Sequence, residues 1–316
     1  MTKTEKSPEN MDGIIIVNKP AGFTSQDVVA KLRGICKMKR IGHTGTLDPD
    51  ATGVLPVCLG KACRLCDMLT DRDKEYIAEL LLGVETDTLD MSGQILREDK
   101  EKAGKLTEDA VRTAIMSFVG EYDQTPPMYS AIKINGKKLY ELAREGVEVE
   151  RKKRRISIKE LEITDMDIPT VGFRVVCSKG TYIRSLCSDI GEKLECGGSL
   201  KSLIRSRSGE FTLKEAHTLE ELQMLKDEER LSEVMLPTDY VFKDLPLVHI
   251  KEPSEKLINN GNPFSDRDIS EEICEGEALG LHNVKQLRVY RTDGSFAGIY
   301  GYDREKRKYM PIRLFI

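Results

Sequence analysis

Residues 42–53 read Gly-His-Thr-Gly-Thr-Leu-Asp-Pro-Asp-Ala-Thr-Gly. Three glycines, three threonines and a proline in twelve residues build a tight loop held by local side-chain hydrogen bonds. Regular elements therefore have to lie on either side of it. At its centre Asp48 precedes Pro49, which biases Asp48 away from helix. A carboxylate presented in this way can serve as nucleophile, base or metal ligand. Composition alone favours the plainer alternative, an Asp whose side chain only shapes its own turn.

The rest of the chain is ordinary for a globular protein. Hydrophobic residues make up 39% and charged residues 32% of 316 residues, which excludes a chain disordered throughout. The length suits one large domain or two. The longest strictly apolar stretch near the start, Ile14 to Val17, is far short of a membrane span. The polar Met1 to Asn10 lacks the apolar core of a signal peptide, so a cytoplasmic protein is expected.

A net charge of −4 argues weakly against a nucleic-acid partner. The charge is segregated, however. Lys31, Arg33, Lys37, Lys39 and Arg40 stand together without an acid, residues 151–155 are all Lys or Arg, and Lys201, Arg205 and Arg207 form a third cluster. Residues 266–277 hold six acids against Arg267 alone. One basic run by itself reads as a solvated face; the segregation permits a basic groove on an acidic protein. The eight cysteines are expected to be reduced in the cytosol. Cys63 and Cys66 form a C-x-x-C with no second pair at zinc-finger spacing, and their helical-looking flanks assign them to packing.

Patterning gives alternating elements. Gly13–Asn18 reads as a short buried strand, and Thr24 or Ser25 caps a helix through Val28, Val29, Leu32 and Ile35. Asp73–Leu82 alternates as a strand with Tyr76, Ala78 and Leu80 on one face. Thr107 opens a helix through Val111, Ile115 and Phe118. Arg155–Ile163 alternates with one shift of phase, Gly172–Ser178 is a further strand, and a helix runs from Thr181 to about Leu194. Thr218 caps Leu219–Leu225. From about residue 245, short strands at Pro246–Ile250, Gln286–Thr292, Phe296–Tyr300 and Met310–Phe315 suggest a small β-rich unit. The expected division is a flexible tail over 1–11, a main domain over 12–240 and a C-terminal domain over 245–316.

Four ordered blocks carry a family resemblance: VNKPAGFTSQDVV (17–29), GHTGTLDPDATGVLPVCLGKA (42–62), PPMYSAIKINGKKLYELAREG (126–146), and CSKGTYIRSLCSDIG (177–191) followed by GGSLKSLIRSRSGEF (197–211). Together they resemble the TruB family, the bacterial tRNA pseudouridine-55 synthases, over roughly residues 12–230. Asp50 and Cys63-Arg64 depart from the family's usual residues. The C-terminal segment resembles the family's PUA-like RNA-binding domain more weakly.

The resemblance implies an α+β fold with a mixed, largely antiparallel central sheet flanked by helices and a site in a cleft across it. It implies isomerisation of a tRNA uridine to pseudouridine by an enzyme that needs no redox cofactor, nucleotide triphosphate or obligatory metal. Asp48 would be the essential carboxylate, acting on uracil, on the anomeric carbon or on a ribose proton. Arg184 would pair with it, and Tyr76 would stack on the flipped base, its hydroxyl available for the carbon-5 proton. Tyr182 and Leu203 would line the pocket. His43 would fill the space left in the T-loop, Lys19 and Lys133 would support the site or the RNA backbone, and Asp87 and Asp90 would position the loop or the RNA. The expected partner is tRNA, gripped at the T-arm and, through the C-terminal domain, at the acceptor stem. The chain would act as a monomer, without guide RNA, protein partner or membrane. Two further readings stay open: a metal-dependent RNA hydrolase using Asp48, Asp87 and Asp90, and an RNA-folding module whose activity coexists with catalysis.

Overall fold

The structure, a computed structural model, describes residues 11–134, 136–273 and 281–316. Residues 1–10 of the expected tail, Cys274 and the end of the acidic stretch 266–277 lie outside the described residues. The principal strands of the main sheet are β1 (Gly13–Lys19), β2 (Ile41–His43), β3 (Thr52–Leu59), β4 (Lys74–Leu82), β5 (Gly120–Gln124), β6 (Arg154–Asp167), β7 (Thr170–Cys177) and β8 (Gly198–Ser208). Its helices are α1 (Ser25–Cys36), α2 (Glu108–Met116), α3 (Ile183–Lys193) and α4 (Leu219–Asp227).

The sheet runs β1-β3-β8-β4-β7-β6-β5, with β2 on the side of β3 and two-residue strands at its margins. Every pairing is antiparallel except β8 with β3, where Ile204 faces Thr52 and Arg205 faces Gly53. The sheet is thus mixed and largely antiparallel. That one parallel contact matters for the site, because it brings the middle of β8 under the end of the 42–53 loop.

Burial explains the sequence patterns. Ile14 to Val17 is an unbroken apolar run because both faces of β1 are covered. Ile15 and Val17 pack with α1 and α4 through Val28, Leu32, Leu219 and Leu222. Ile14 and Ile16 pack with Val54, Leu65, Phe211 and Phe315. On the far half, Tyr76, Ala78 and Leu80 of β4 face Val111 and Ile115 of α2 and Ile183, Leu186 and Ile190 of α3. The phase shift in the Arg155–Ile163 pattern is a β-bulge between Ile158 and Glu160, which moves an extra residue into the ladder and changes which side chains face inward.

Five strands between Leu247 and Leu314 form a second sheet. It does not hang free. Phe315 enters the core beside β1, Phe242 meets Phe296 and Phe315, and Arg64 donates to the Leu314 carbonyl at 2.5 Å. Cys63 and Cys66 pack at this junction, as their flanks suggested.

Candidate active site

The loop that follows β2 carries Asp48, and its backbone is anchored at almost every step. Thr44 donates from both its amide and its hydroxyl to the Pro56 carbonyl. The Gly45 amide donates to Nδ1 of His43 at 3.3 Å, and the Leu47 amide to Oγ of Ser25, the first residue of α1, at 2.9 Å. The Thr24–Asp27 capping box sets the start of that helix and so the position of Ser25.

Two cations hold the loop from beneath. Lys19, the last residue of β1, is fully buried and donates to the carbonyls of Pro20 (2.9 Å), Phe23 (2.5 Å) and Pro49 (2.8 Å). Burial lowers its pKa to about 8, although Asp50 and Asp48 oppose the shift. Lys19 therefore supports the site and cannot touch RNA as it stands. Arg205 is 1% exposed and donates to the carbonyls of Val54 (2.7 Å) and Gly45 (3.4 Å). Gly53 is required beside it: its φ is +104°, and a Cβ there would lie 2.3 Å from the Arg205 carbonyl oxygen. Of the third basic cluster of the sequence, only Lys201 is exposed. Arg205 is interior, and Arg207 turns to the Gly209 carbonyl and to Glu75.

Arg184 reaches Asp48 from the first turn of α3. Its Nε donates to Oδ2 at 2.9 Å and its Nη2 to Oδ1 at 2.8 Å, a bidentate pair. The same guanidinium donates to the carbonyls of Thr88 (2.9 Å) and Tyr129 (2.8 Å). Arg184 is buried, yet the Asp48 side chain keeps 37% of its exposure, so the carboxylate opens outward from a closed partner. Burial pushes the Asp48 carboxyl above the ordinary carboxylate range, while Arg184 and, more weakly, Lys19 pull it down. Both oxygens accept from the guanidinium, an arrangement that favours the ionised form against burial.

Asp90 stands 3.6 Å from Nε of Arg184. Its Oδ1 accepts from the Thr88 hydroxyl and from the Ser92 amide and hydroxyl. Asp87 accepts from the Gln94 amide. Both acids therefore shape their own loop. Tyr76 on β4 is 8% exposed. Burial raises its hydroxyl to about 12, against the pull of Arg205, so in the free protein it holds its proton and is a poor base. Leu203, opposite Ala78 in the ladder, is 8% exposed. Tyr182 precedes α3 and is half-buried. Burial, followed by Arg205, lowers the His43 pKa, which favours the neutral ring. Lys133 lies apart on an exposed two-residue strand.

Sequence reasoning missed Arg205 as a loop support, the Thr88 and Tyr129 carbonyls, and Gln124, which binds the start of α3. The carbonyls have no side-chain signature. Arg205 was visible only as one more basic residue.

The structure thus brings Asp48 and the buried Arg184 into a bidentate pair beside a mixed sheet whose strand β4 carries Tyr76. The profile for the TruB family pseudouridylate synthase N-terminal domain matches residues 33–183, and that for the tRNA pseudouridylate synthase B C-terminal domain matches residues 184–243. The break between these two matches falls inside α3, and neither reaches the second sheet. The tRNA pseudouridine synthase B of Lachnoclostridium phytofermentans is 48% identical over 314 residues, covering 97% of this chain and 100% of that protein. That of Alkaliphilus oremlandii is 46% identical over 299 residues, 89% of this chain and 98% of that protein. Among solved structures, a Cbf5–Nop10–Gar1 complex aligns with TM-score 0.68 and 26% identity over 99% of this chain and 88% of that one. The chain belongs to the TruB family of pseudouridylate synthases.

Proposed function

We propose that this chain converts a uridine in the T-arm of tRNA, at position 55, to pseudouridine, with Asp48 as the essential carboxylate. The observation that carries the reading is the bidentate Arg184–Asp48 pair. The reaction breaks the bond between the anomeric carbon and N1, turns the uracil, and joins the same carbon to C5. The C5 proton leaves and N1 takes a proton, so nothing is oxidised and no group is consumed. A preorganised anion beside the sugar serves such a step because its orientation needs no rearrangement. Arg184 keeps Asp48 charged against the cost of burial. Tyr76 supplies a face for the extruded base, with Tyr182 and Leu203 around it. Extrusion costs a few kcal/mol, offset by stacking and phosphate contacts.

His43, neutral and beside the carboxylate loop, is the candidate for the space the base leaves. The lysines and arginines of 31–40, together with Lys152, Lys153 and Lys133, are exposed and are the candidates to meet phosphates, and affinity should weaken as salt rises. The second sheet is assigned the acceptor stem. In this reading the chain acts in the cytoplasm as a monomer, without guide RNA or protein partner. No helix of the described residues is long and apolar enough to cross a membrane.

The test is incubation of the protein alone with an unmodified tRNA transcript in the presence of a chelator, followed by chemical mapping. One pseudouridine in the T-arm is expected. Cleaved RNA, a product that needs added guide RNA, or loss of activity in chelator would overturn the reading.

A further inference from the structure

Gln124 ends β5 and is 1% exposed, a buried amide whose two ends are both engaged. Its Oε1 accepts from the Tyr182 amide at 2.8 Å, and its Nε2 donates to the Tyr182 carbonyl at 3.0 Å. The side chain thus pairs with both backbone groups of one residue, as a neighbouring strand would. Nε2 also donates to the Tyr122 hydroxyl at 2.7 Å. Tyr182 is the N-cap of α3 and caps nothing with its own side chain. Its carbonyl also accepts the helix bond from the Leu186 amide. What holds the start of this helix is therefore supplied from outside, by Gln124 and by the Thr125 carbonyl, which accepts from the buried Ser185 hydroxyl at 2.9 Å.

Arg184 lies between these two attachments, two residues beyond Tyr182. Its pair with Asp48 uses two bonds at once, so a small tilt of the first turn breaks one of them. Displacement of a reacting group by about 1 Å costs roughly a hundredfold in rate. We infer that Gln124 is a positioning residue for the reaction: by gripping the backbone of Tyr182 it sets the first turn of α3 and thereby aims the Arg184 guanidinium at Asp48. This rests on the pseudouridine synthase reading above.

The inference separates from a purely structural role through the state of Asp48. That carboxyl interacts with Arg184 from α3, Asp90 from the 87–92 loop, Lys19 from β1, Tyr76 from β4 and Tyr182 from the residue before α3. Arg184 is the cation nearest to it. When the guanidinium drifts, burial goes uncompensated and the carboxyl holds its proton to higher pH.

The experiment is the pH dependence of single-turnover pseudouridine formation on unmodified tRNA transcript, with tRNA Kd measured in parallel. Gln124→Met keeps the bulk and removes the three hydrogen bonds. It is expected to slow turnover by about ten- to a hundredfold, move the acid limb to higher pH and leave Kd within about twofold. Gln124→Glu keeps an acceptor for the Tyr182 amide but loses the donor to its carbonyl; it should show the same shift in smaller measure. Tyr122→Phe leaves the Gln124–Tyr182 pairing intact and should keep the wild-type profile. A wild-type acid limb in both Gln124 variants, or an equal shift in Tyr122→Phe, would overturn the inference. Absence of pseudouridine from the wild-type reaction would instead overturn the reading of the reaction itself.

Discussion

Asp48 and Arg184 are held by opposite means. Asp48 sits on an irregular loop rich in Gly and Thr, and the loop is gripped from below by the buried cations Lys19 and Arg205 through backbone carbonyls. Arg184 sits on a regular helix that needs only a neutral amide and a hydroxyl contact to set its first turn. A helix satisfies most of its own backbone groups, so few outside contacts fix it. An irregular loop has no ladder, and each carbonyl needs an external donor. A buried cation is a strong donor with a high desolvation cost. The depressed pKa of Lys19 and of Arg205 expresses that cost. The loop side should therefore be the more sensitive to pH, and the helix side the more sensitive to geometry.

The largest expected effect lies on the helix side. Arg184→Ala strands the Asp48 carboxylate and the Thr88 and Tyr129 carbonyls together. Turnover on tRNA should fall by about a thousandfold or more, with the residual activity confined to higher pH. Arg184→Lys keeps the charge but loses the fork and should recover only a small part of the loss; near wild-type rates with Lys would show that geometry matters less on this side than charge.

Next comes Arg205→Met on the loop side. It removes a charged donor from the Val54 and Gly45 carbonyls and relieves a buried charge, so the two effects partly cancel. A net loss of about 2 kcal/mol in urea unfolding and a roughly tenfold slower reaction are expected. Unchanged kinetics at full stability would remove Arg205 from the account of the loop.

Lys19 sharpens the comparison through pH. Its folded pKa of about 8 lies below the ordinary lysine value of 10.5. Above about pH 8 the folded amine has two N–H groups for three carbonyls, so turnover should decline by a few fold on the alkaline side. Folding stability should move the other way. Between about 8 and 10.5 the unfolded chain binds more protons, so this group's contribution to stability grows as pH rises. Lys19→Met should abolish the alkaline limb. Its persistence in that variant would assign the limb to another group.

The smallest effect is expected from Thr24→Ala. The cap of α1 contributes about 1 kcal/mol, read as a lower melting temperature with an unchanged rate at 25 °C.

What could be read from the sequence follows from regularity. The middle of the 42–53 loop is legible in its composition, although residues 42–43 and 52–53 belong to β2 and β3, and β4 is legible in the imperfect alternation that puts Tyr76, Ala78 and Leu80 on one face. The start of α1 shows in its capping box, and the helix bearing Arg184 begins within two residues of expectation, at Ile183. β8 was not legible. Bulges near Leu200 and Arg205 break its alternation, so its Lys, Ser and Arg residues read as a basic surface. β3 was hidden by Pro56, which sits inside a strand paired on both sides. β5, with its exposed Glu121 and Asp123, offered no apolar pattern. The Asp48–Arg184 pair came from the resemblance of the 42–62 and 177–191 blocks. No spacing connects residues so far apart in the chain. Their supports, Arg205, Gln124 and the carbonyls, act through backbone contacts that only three dimensions reveal.

The central claim is that one ionised carboxylate, aimed by Arg184, performs the isomerisation. It is tested most directly by the single-turnover rate of Asp48→Asn on unmodified tRNA transcript, with binding measured alongside. The account predicts no pseudouridine above background and tRNA affinity within about twofold of wild type. Product formed by the Asn variant at a rate near that of wild type would contradict it.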